Sequence, residues 1–153
     1  AVSPATSNEI SPALSRDGGG VIINMASVAG LGATSNLAAY VSGKAGIIAL
    51  SKSAALDYAD QGIRINVIAP GPILTDHLRA AGDRAQQYAA QSVPLGRIGT
   101  TADVAACVLW LCSDDASFIT GVTVPVDGGQ SAGTKLRQTY RPGQPMEEPA
   151  GQR

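Results

Sequence analysis

The sequence predicts an α/β protein built on a parallel sheet, and three observations carry that reading. Three short runs rich in β-branched residues, at 21–26 (VIINMA), 63–69 (IRINVIA) and 122–126 (VTVPV), have the length and composition of strands. The first of them is a continuous apolar run without alternation, the pattern of a strand covered on both faces. Helical stretches separate the three, and a strand–helix–strand–helix–strand order favours parallel pairing through right-handed crossovers.

The elements follow in order. Residues 1–19 form a poorly defined segment: 9–14 can close a helix broken by Gly18, Gly19 and Gly20, but Pro4 and Pro12 suit a helix badly. The strand at 21–26 comes next, and the small, polar stretch 27–36 reads as a loop. A long helix is predicted over 37–60, with Ser35 or Asn36 able to cap its start and Gly62 placed for a left-handed C-terminal cap. Val41, Ala45, Ile48 and Ala55 share one side of it, and Ile47, Leu50, Ala54 and Tyr58 extend that side. So wide an apolar surface packs on a sheet and on something else. The strand at 63–69 is stopped by Pro70-Gly71-Pro72. Residues 76–91, polar and rich in Ala and Gln, read as helix, and 94–99 as loop. Thr101 opens a helix to about Cys112, with Asp103 favourable in its first turn. The last strand ends at Asp127-Gly128-Gly129. The folded unit is therefore expected over 20–130, and 131–153, which is Gly, Pro and charge without periodicity, is expected to be a flexible tail.

Composition narrows the function classes. Aromatics make up only 4% of the chain, so the core must come from Ala, Val, Ile and Leu. A formal net charge of −1 without a basic run argues against a nucleic-acid or anionic-membrane surface. No apolar stretch is long enough to span a bilayer, and residues 1–15 lack a basic leader followed by an apolar run, so a cytoplasmic protein is expected. Cys107 and Cys112 are five apart with no His beside them. They read as small core residues, not as metal ligands or a disulfide, and no metal site is expected.

Tyr40 and Lys44 lie four residues apart in the long helix, on one face and one turn from each other. An ammonium beside a phenol favours the phenolate by charge, and a phenol so tuned can exchange a proton with an alcohol. Ser27 falls at the C-terminal end of the first strand, the edge at which open α/β sheets bind ligands, where its hydroxyl could bond a substrate oxygen. Taken singly, each has an ordinary structural reading as a surface pair or a turn residue.

Taken together, four motifs in order resemble the short-chain dehydrogenase/reductase family. Tyr40-Val41-Ser42-Gly43-Lys44 matches its Y-x-x-x-K motif, and Ile23-Asn24-Met25-Ala26-Ser27 its strand-to-serine segment. Residues 66–75 (NVIAPGPILT) resemble its N-x-(V/I)-x-P-G-x-(I/V)-x-T element. Pro94-Leu95-Gly96-Arg97, Asp103-Val104-Ala105 and the run from Phe118 through Gly129 resemble its C-terminal part. The resemblance implies a reversible oxidoreductase that uses NAD or NADP to interconvert a small-molecule alcohol and a carbonyl. It makes Tyr40 the general acid/base. It gives Lys44 the nicotinamide ribose and Ser27 the carbonyl. Pro70, Gly71 and the Ile73 backbone would meet the nicotinamide amide, with Thr75 close by. Asn66 is read as a structural strand residue, and His77 and Arg79 as solvated.

The family's Gly-rich T-G-x-x-x-G-x-G turn, its N-A-G segment and its helix-borne catalytic Asn find no match. Gly18-Gly19-Gly20 precedes a strand instead of following one. Gly30-Leu31-Gly32 lacks the third glycine and a ribose-binding acid, and Asn8 is too near Ser27. The fold expected is thus a partial Rossmann-type parallel sheet, the C-terminal half of a doubly wound fold, in a truncated chain. Such a half-sheet is expected to form a homo-oligomer through the helix at 37–60, by a face around Ala45, Ile48 and Ala55. The alternative reading is a non-catalytic fragment that assembles with full-length relatives.

Overall fold

A computed structural model describes residues 19–133 and Gly143, and its three strands form one parallel sheet. Strand β1 (Gly20–Met25) pairs with β2 (Ile63–Pro70), Gly20 opposite Ile63 and Met25 opposite Ile68. On the other side of β2 lies β3 (Thr123–Val126), Val67 opposite Thr123 and Pro70 opposite Val126. Helix α1 (Ala38–Asp57) connects β1 to β2. Helices α2 (Asp76–Ala80), α3 (Asp83–Gln91) and α4 (Thr101–Cys112) connect β2 to β3.

Side-chain alternation along β2 sorts the core into two layers. Ile63, Ile65 and Val67 face α1, where they meet Ile48 and Ala55. Ile68 faces the opposite way and packs with Leu111 of α4 and Ala116. Covered on both sides, β2 is buried almost throughout, whereas β1 is half-buried along most of its length, with one edge paired among the described residues. Both faces of β1 are nonetheless covered in part, since Ile22 packs on the α1 side and Ile23 on the side of Leu111.

Asn66 is fully buried inside this apolar strand. Its side chain donates to the Ile119 carbonyl at 2.9 Å and accepts from the Val122 amide at 3.1 Å. The Thr120 hydroxyl accepts from the Ile65 amide at 3.0 Å. These bonds stitch the segment before β3 to β2, so Asn66 is structural, as the sequence indicates.

Local chemistry explains where elements end. The α-helix of α1 stops at Asp57 instead of continuing to residue 60; a 3₁₀ turn, Ala59–Gln61, follows and closes on Gly62 at φ 71°. Neither Ser35 nor Asn36 caps its start. Leu37 holds that position without a side-chain bond, and Asn36 takes a left-handed φ of 63°. The single helix expected over 76–91 is two, broken where Gly82 adopts φ 84°. At α4 the Thr100 hydroxyl accepts from the Asp103 amide while the Asp103 carboxylate accepts from the Thr100 amide, a reciprocal cap.

Two further expectations change. Ile48 and Ala55 are buried against the sheet, so they cannot form the outward face of α1; Leu50 and Leu56, 68% and 83% exposed, lie there instead. Cys112 is exposed and only Cys107 is partly buried, its thiol pushed up by that burial. Gln130–Ala132 form a 3₁₀ turn after β3. Expectations for 1–18, including Asn8, and for 134–153 apart from Gly143 lie outside the described residues. Among the described residues no helix is long and apolar enough to cross a membrane.

Candidate active site

The C-terminal ends of β1 and β2 lie level, since Met25 sits opposite Ile68 and the Ala26 amide continues the ladder to the Ile68 carbonyl at 2.8 Å. Ser27 follows in extended backbone, φ −166° and ψ 155°, and caps a 3₁₀ turn, Val28–Gly30. Its hydroxyl oxygen accepts from the Ala29 amide at 3.2 Å, which aims the oxygen back over the turn. Among the described residues its O–H donates to nothing, so it is available to a ligand oxygen.

The turn is pressed onto α1 at Gly30. A Cβ at this position would lie 2.8 Å from the Lys44 carbonyl carbon and 3.0 Å from the Ala45 nitrogen. Glycine therefore permits an approach of loop to helix backbone that any side chain would block. Lys44, at that same point, donates from Nζ to the Met25 carbonyl at 3.2 Å. Its ammonium stands 5.7 Å from the centroid of the Tyr40 ring, within cation–π range. Tyr40 is 48% exposed, so its phenol is open to solvent or to a ligand. One bond and one close contact thus tie Lys44 to the end of β1 and the turn that carries Ser27, with Tyr40 a turn of helix away.

Pro70, Gly71, Ile73 and Thr75 occupy the end of the neighbouring strand. The Gly71 amide donates to the Val126 carbonyl at 3.1 Å, and a Cβ on Gly71 would come within 2.8 Å of the Asp127 Cβ. Ile73 forms a parallel bridge with Gly99, in which the Gly99 amide donates to Pro72 and the Leu74 amide donates to Gly99. This arrangement spends the flanking amides but not that of Ile73, which makes no hydrogen bond among the described residues. The Thr75 hydroxyl oxygen accepts from the Leu78 amide at 3.4 Å and caps α2, so Thr75 already has a structural task.

Two carboxylates brace this edge. Burial opposes ionisation of Asp127, but hydrogen bonds from Ser131, Gly129 and Gln130 outweigh it and hold the carboxyl below its ordinary range. The Arg97 guanidinium, paired with both Asp103 oxygens at 3.0 and 3.1 Å, holds that carboxyl well below the usual range with help from Thr100. Both act on loop geometry. His77 and Arg79 are exposed, as expected.

Two concavities flank the site. One of about 680 Å³ is lined by Ile73, Val93, Leu95, Val124 and Val126 among others, and includes none of Ser27, Tyr40 and Lys44. A smaller one of about 260 Å³ is lined by Val28, Ala29, Leu31, Gly32, Ala33, Thr34, Gln130 and Ser131, directly beside the Ser27 turn. Neither lining includes Ser27, Tyr40 or Lys44; the larger takes in Ile73, and the smaller abuts the Ser27 turn through Val28 and Ala29. In the sequence Gly30 marks only an incomplete phosphate turn; its contact with Lys44 arises from the fold.

The profile of the Enoyl-(Acyl carrier protein) reductase family matches residues 4–131. Cyclohexanol dehydrogenase of Acinetobacter sp. (strain SE19) is 46% identical over 121 residues, 79% of this chain and 47% of that protein. The 3-oxoacyl-(acyl-carrier-protein) reductase MabA of Mycobacterium tuberculosis is 42% identical over 123 residues, 80% of this chain and 50% of that protein. Among solved structures, ElxO with NADP bound superposes with a TM-score of 0.75 at 35% identity, over 79% of this chain and 50% of that one. A 7α-hydroxysteroid dehydrogenase complexed with NADH and 7-oxo glycochenodeoxycholic acid gives 0.72 at 37% identity, over 77% and 47%. The chain spans about half the length of the curated relatives it matches.

Proposed function

Because this chain belongs to the short-chain dehydrogenase/reductase family, we propose that it supplies the catalytic half of an NAD- or NADP-dependent oxidoreductase that interconverts a small-molecule alcohol and a carbonyl. The observation that carries this reading is the Lys44 ammonium, seated between the Met25 carbonyl and the Tyr40 ring against the turn that bears Ser27. A bound nicotinamide would supply or accept the hydride. The free O–H of Ser27 donates to the carbonyl oxygen and orients it. Tyr40 gives that oxygen its proton as the alcohol forms, and takes one back in the reverse direction. The positive charge of Lys44 stabilises the phenolate so produced, and its remaining N–H groups suit a ribose hydroxyl. The unspent Ile73 amide fits a carboxamide oxygen, with Pro70 and Gly71 forming the wall beside it and Thr75 near its edge.

A pyrophosphate needs a cradle of backbone amides. The family's sequence for that cradle does not occur in these 153 residues, so what this chain offers is the nicotinamide half of a dinucleotide site. Calorimetric or fluorescence titration with NADH and NADPH tests the reading. Binding of either with a Kd on the order of micromolar, with oxidation of the bound nucleotide by a ketone, would mean that the dinucleotide site is completed, as across an oligomer, and would support catalysis. Absence of binding to both would overturn catalysis by this chain and favour the reading as an assembly partner.

We further propose self-association through the outward side of α1, which presents Leu50 and Leu56 among small residues that permit close helix approach: Ser42, Gly43, Gly46, Ala49 and Ser53. Leu56→Asp is expected to shift the protein to a smaller species in sedimentation velocity. An unchanged sedimentation coefficient would remove this face from consideration.

A further inference from the structure

The interface between β1, β2 and α1 is apolar at both ends and polar in the middle. Ala26, Ile48 and Val67 form one buried cluster, and Ala55, Ile63 and Ile65 form the other. Between Ile48 and Ala55 on the helix sits Ser51, 1% exposed. The Asn24 Nδ2 donates to the Ser51 Oγ at 2.9 Å, and the Ser51 hydroxyl donates to the Ile47 carbonyl at 2.7 Å. The second bond is ordinary, since helical serines commonly bond back to the preceding turn. The first is not local, because it joins a strand to a helix across 27 residues.

Apolar contacts are non-directional and tolerate small sliding of a helix along a strand. A buried hydrogen bond has a narrow range of distance and angle. Buried polar groups of this kind set register in other helical assemblies even where they add little stability. The position of this one matters. Ser51 lies seven residues beyond Lys44 and eleven beyond Tyr40, spacings that put all three on one stripe of α1. Asn24 precedes both Met25, whose carbonyl receives the Lys44 ammonium, and Ser27. The bond therefore joins a point fixed to Tyr40 and Lys44 through the helix to a point fixed to Ser27 through the strand.

We propose that Asn24 and Ser51 are positioning residues, whose bond sets the axial placement of α1 on β1 and with it the placement of Tyr40 and Lys44 relative to Ser27. The proposal rests on the reading of those three residues as the catalytic group. It is separable from a purely structural role, because Ser51 is buried and Asn24 half-buried, and replacing both members of such a polar pair by apolar residues is often neutral or stabilising.

The test compares the full chain with Ser51→Ala and with the double variant Asn24→Leu/Ser51→Ala. Tm is measured, together with kcat and KM for ketone reduction and the ring ¹³C shift of Tyr40, assigned by its loss in Tyr40→Phe. The double variant is expected to keep or raise Tm, to lose about tenfold or more in kcat with KM little changed, and to show a displaced Tyr40 resonance. Wild-type kcat together with an unmoved resonance would overturn the proposal, whatever happens to Tm. If the wild-type chain reduces no ketone with either nucleotide, the functional reading fails. The resonance alone then decides the positioning: displaced at unchanged Tm supports it, and unmoved overturns it. Should the double variant not fold, Ser51→Ala is read by the same criteria.

Discussion

Replacing Tyr40 by Phe is expected to lower the rate of carbonyl reduction by about 10²- to 10⁴-fold, the usual contribution of a positioned general acid, while NAD(P)H affinity and Tm stay near wild type. The separation follows from where the phenol sits. Tyr40 is 48% exposed, and its hydroxyl makes no hydrogen bond among the described residues, so removing one oxygen breaks nothing that holds the fold. The ring remains for the Lys44 ammonium to stand against, and the bond from Lys44 to Met25 is untouched. Only the transferable proton is lost. Steady-state kinetics with saturating nucleotide would read the effect as a fall in kcat with the KM for nucleotide unmoved. A Phe variant within threefold of wild type would remove Tyr40 from the reaction.

Gly30→Ala is expected to act on stability and activity together. Its Cβ would lie 2.8 Å from the Lys44 carbonyl carbon and 3.0 Å from the Ala45 nitrogen, both helix backbone atoms that no rotamer change can move aside. Either the Ser27 turn lifts or α1 shifts. Overpacking of this kind costs about 1–3 kcal/mol, and a displacement near 1 Å between Ser27 and Lys44 costs about 10²-fold in rate. Gly32→Ala is the matched control, since nothing lies within 4 Å of its Cβ. It is expected to leave Tm close to wild type. Thermal melts and initial rates on the two variants check the contrast, and equal behaviour of both would show that the close approach at Gly30 has no functional weight.

The sheet was legible because strands of this type announce themselves by composition. Ile63, Ile65, Val67 and Ile68 are all apolar since each face of β2 is covered, and the helix between β1 and β2 leaves parallel pairing as the natural outcome. The spacing of Tyr40 and Lys44 was legible for a similar reason: helix geometry alone fixes their separation. What stayed hidden depends on contacts far apart in the chain. Ile48 and Leu50 look alike in sequence, yet one faces the sheet and the other solvent, because the orientation of α1 is set by what it meets. The break at Gly82 depends on a left-handed glycine in a stretch whose composition otherwise favours helix. Asn24 and Ser51 gave no local sign of being joined. Ser51 had only its two-turn spacing from Lys44 to mark it.

The parallel topology has a consequence for how the chain acquires its structure. Every partner of β1 in β2 is 43 positions away, as Gly20 and Ile63 are, and every partner of β2 in β3 is 56 away, as Val67 and Thr123 are. No two strands can meet as a hairpin, so the sheet cannot nucleate locally and grow. Each pairing must wait for a long loop to close, and the entropy of that closure is lost before any ladder bond forms. Topologies of this contact order fold slowly for their length. The helices, α1 among them, can form earlier by short-range bonds alone. Helix α1 carries Ser51, Ile48 and Ala55 on the side that later meets the sheet. The helix that bears Tyr40 and Lys44 thus also presents the apolar side against which β1 and β2 pack.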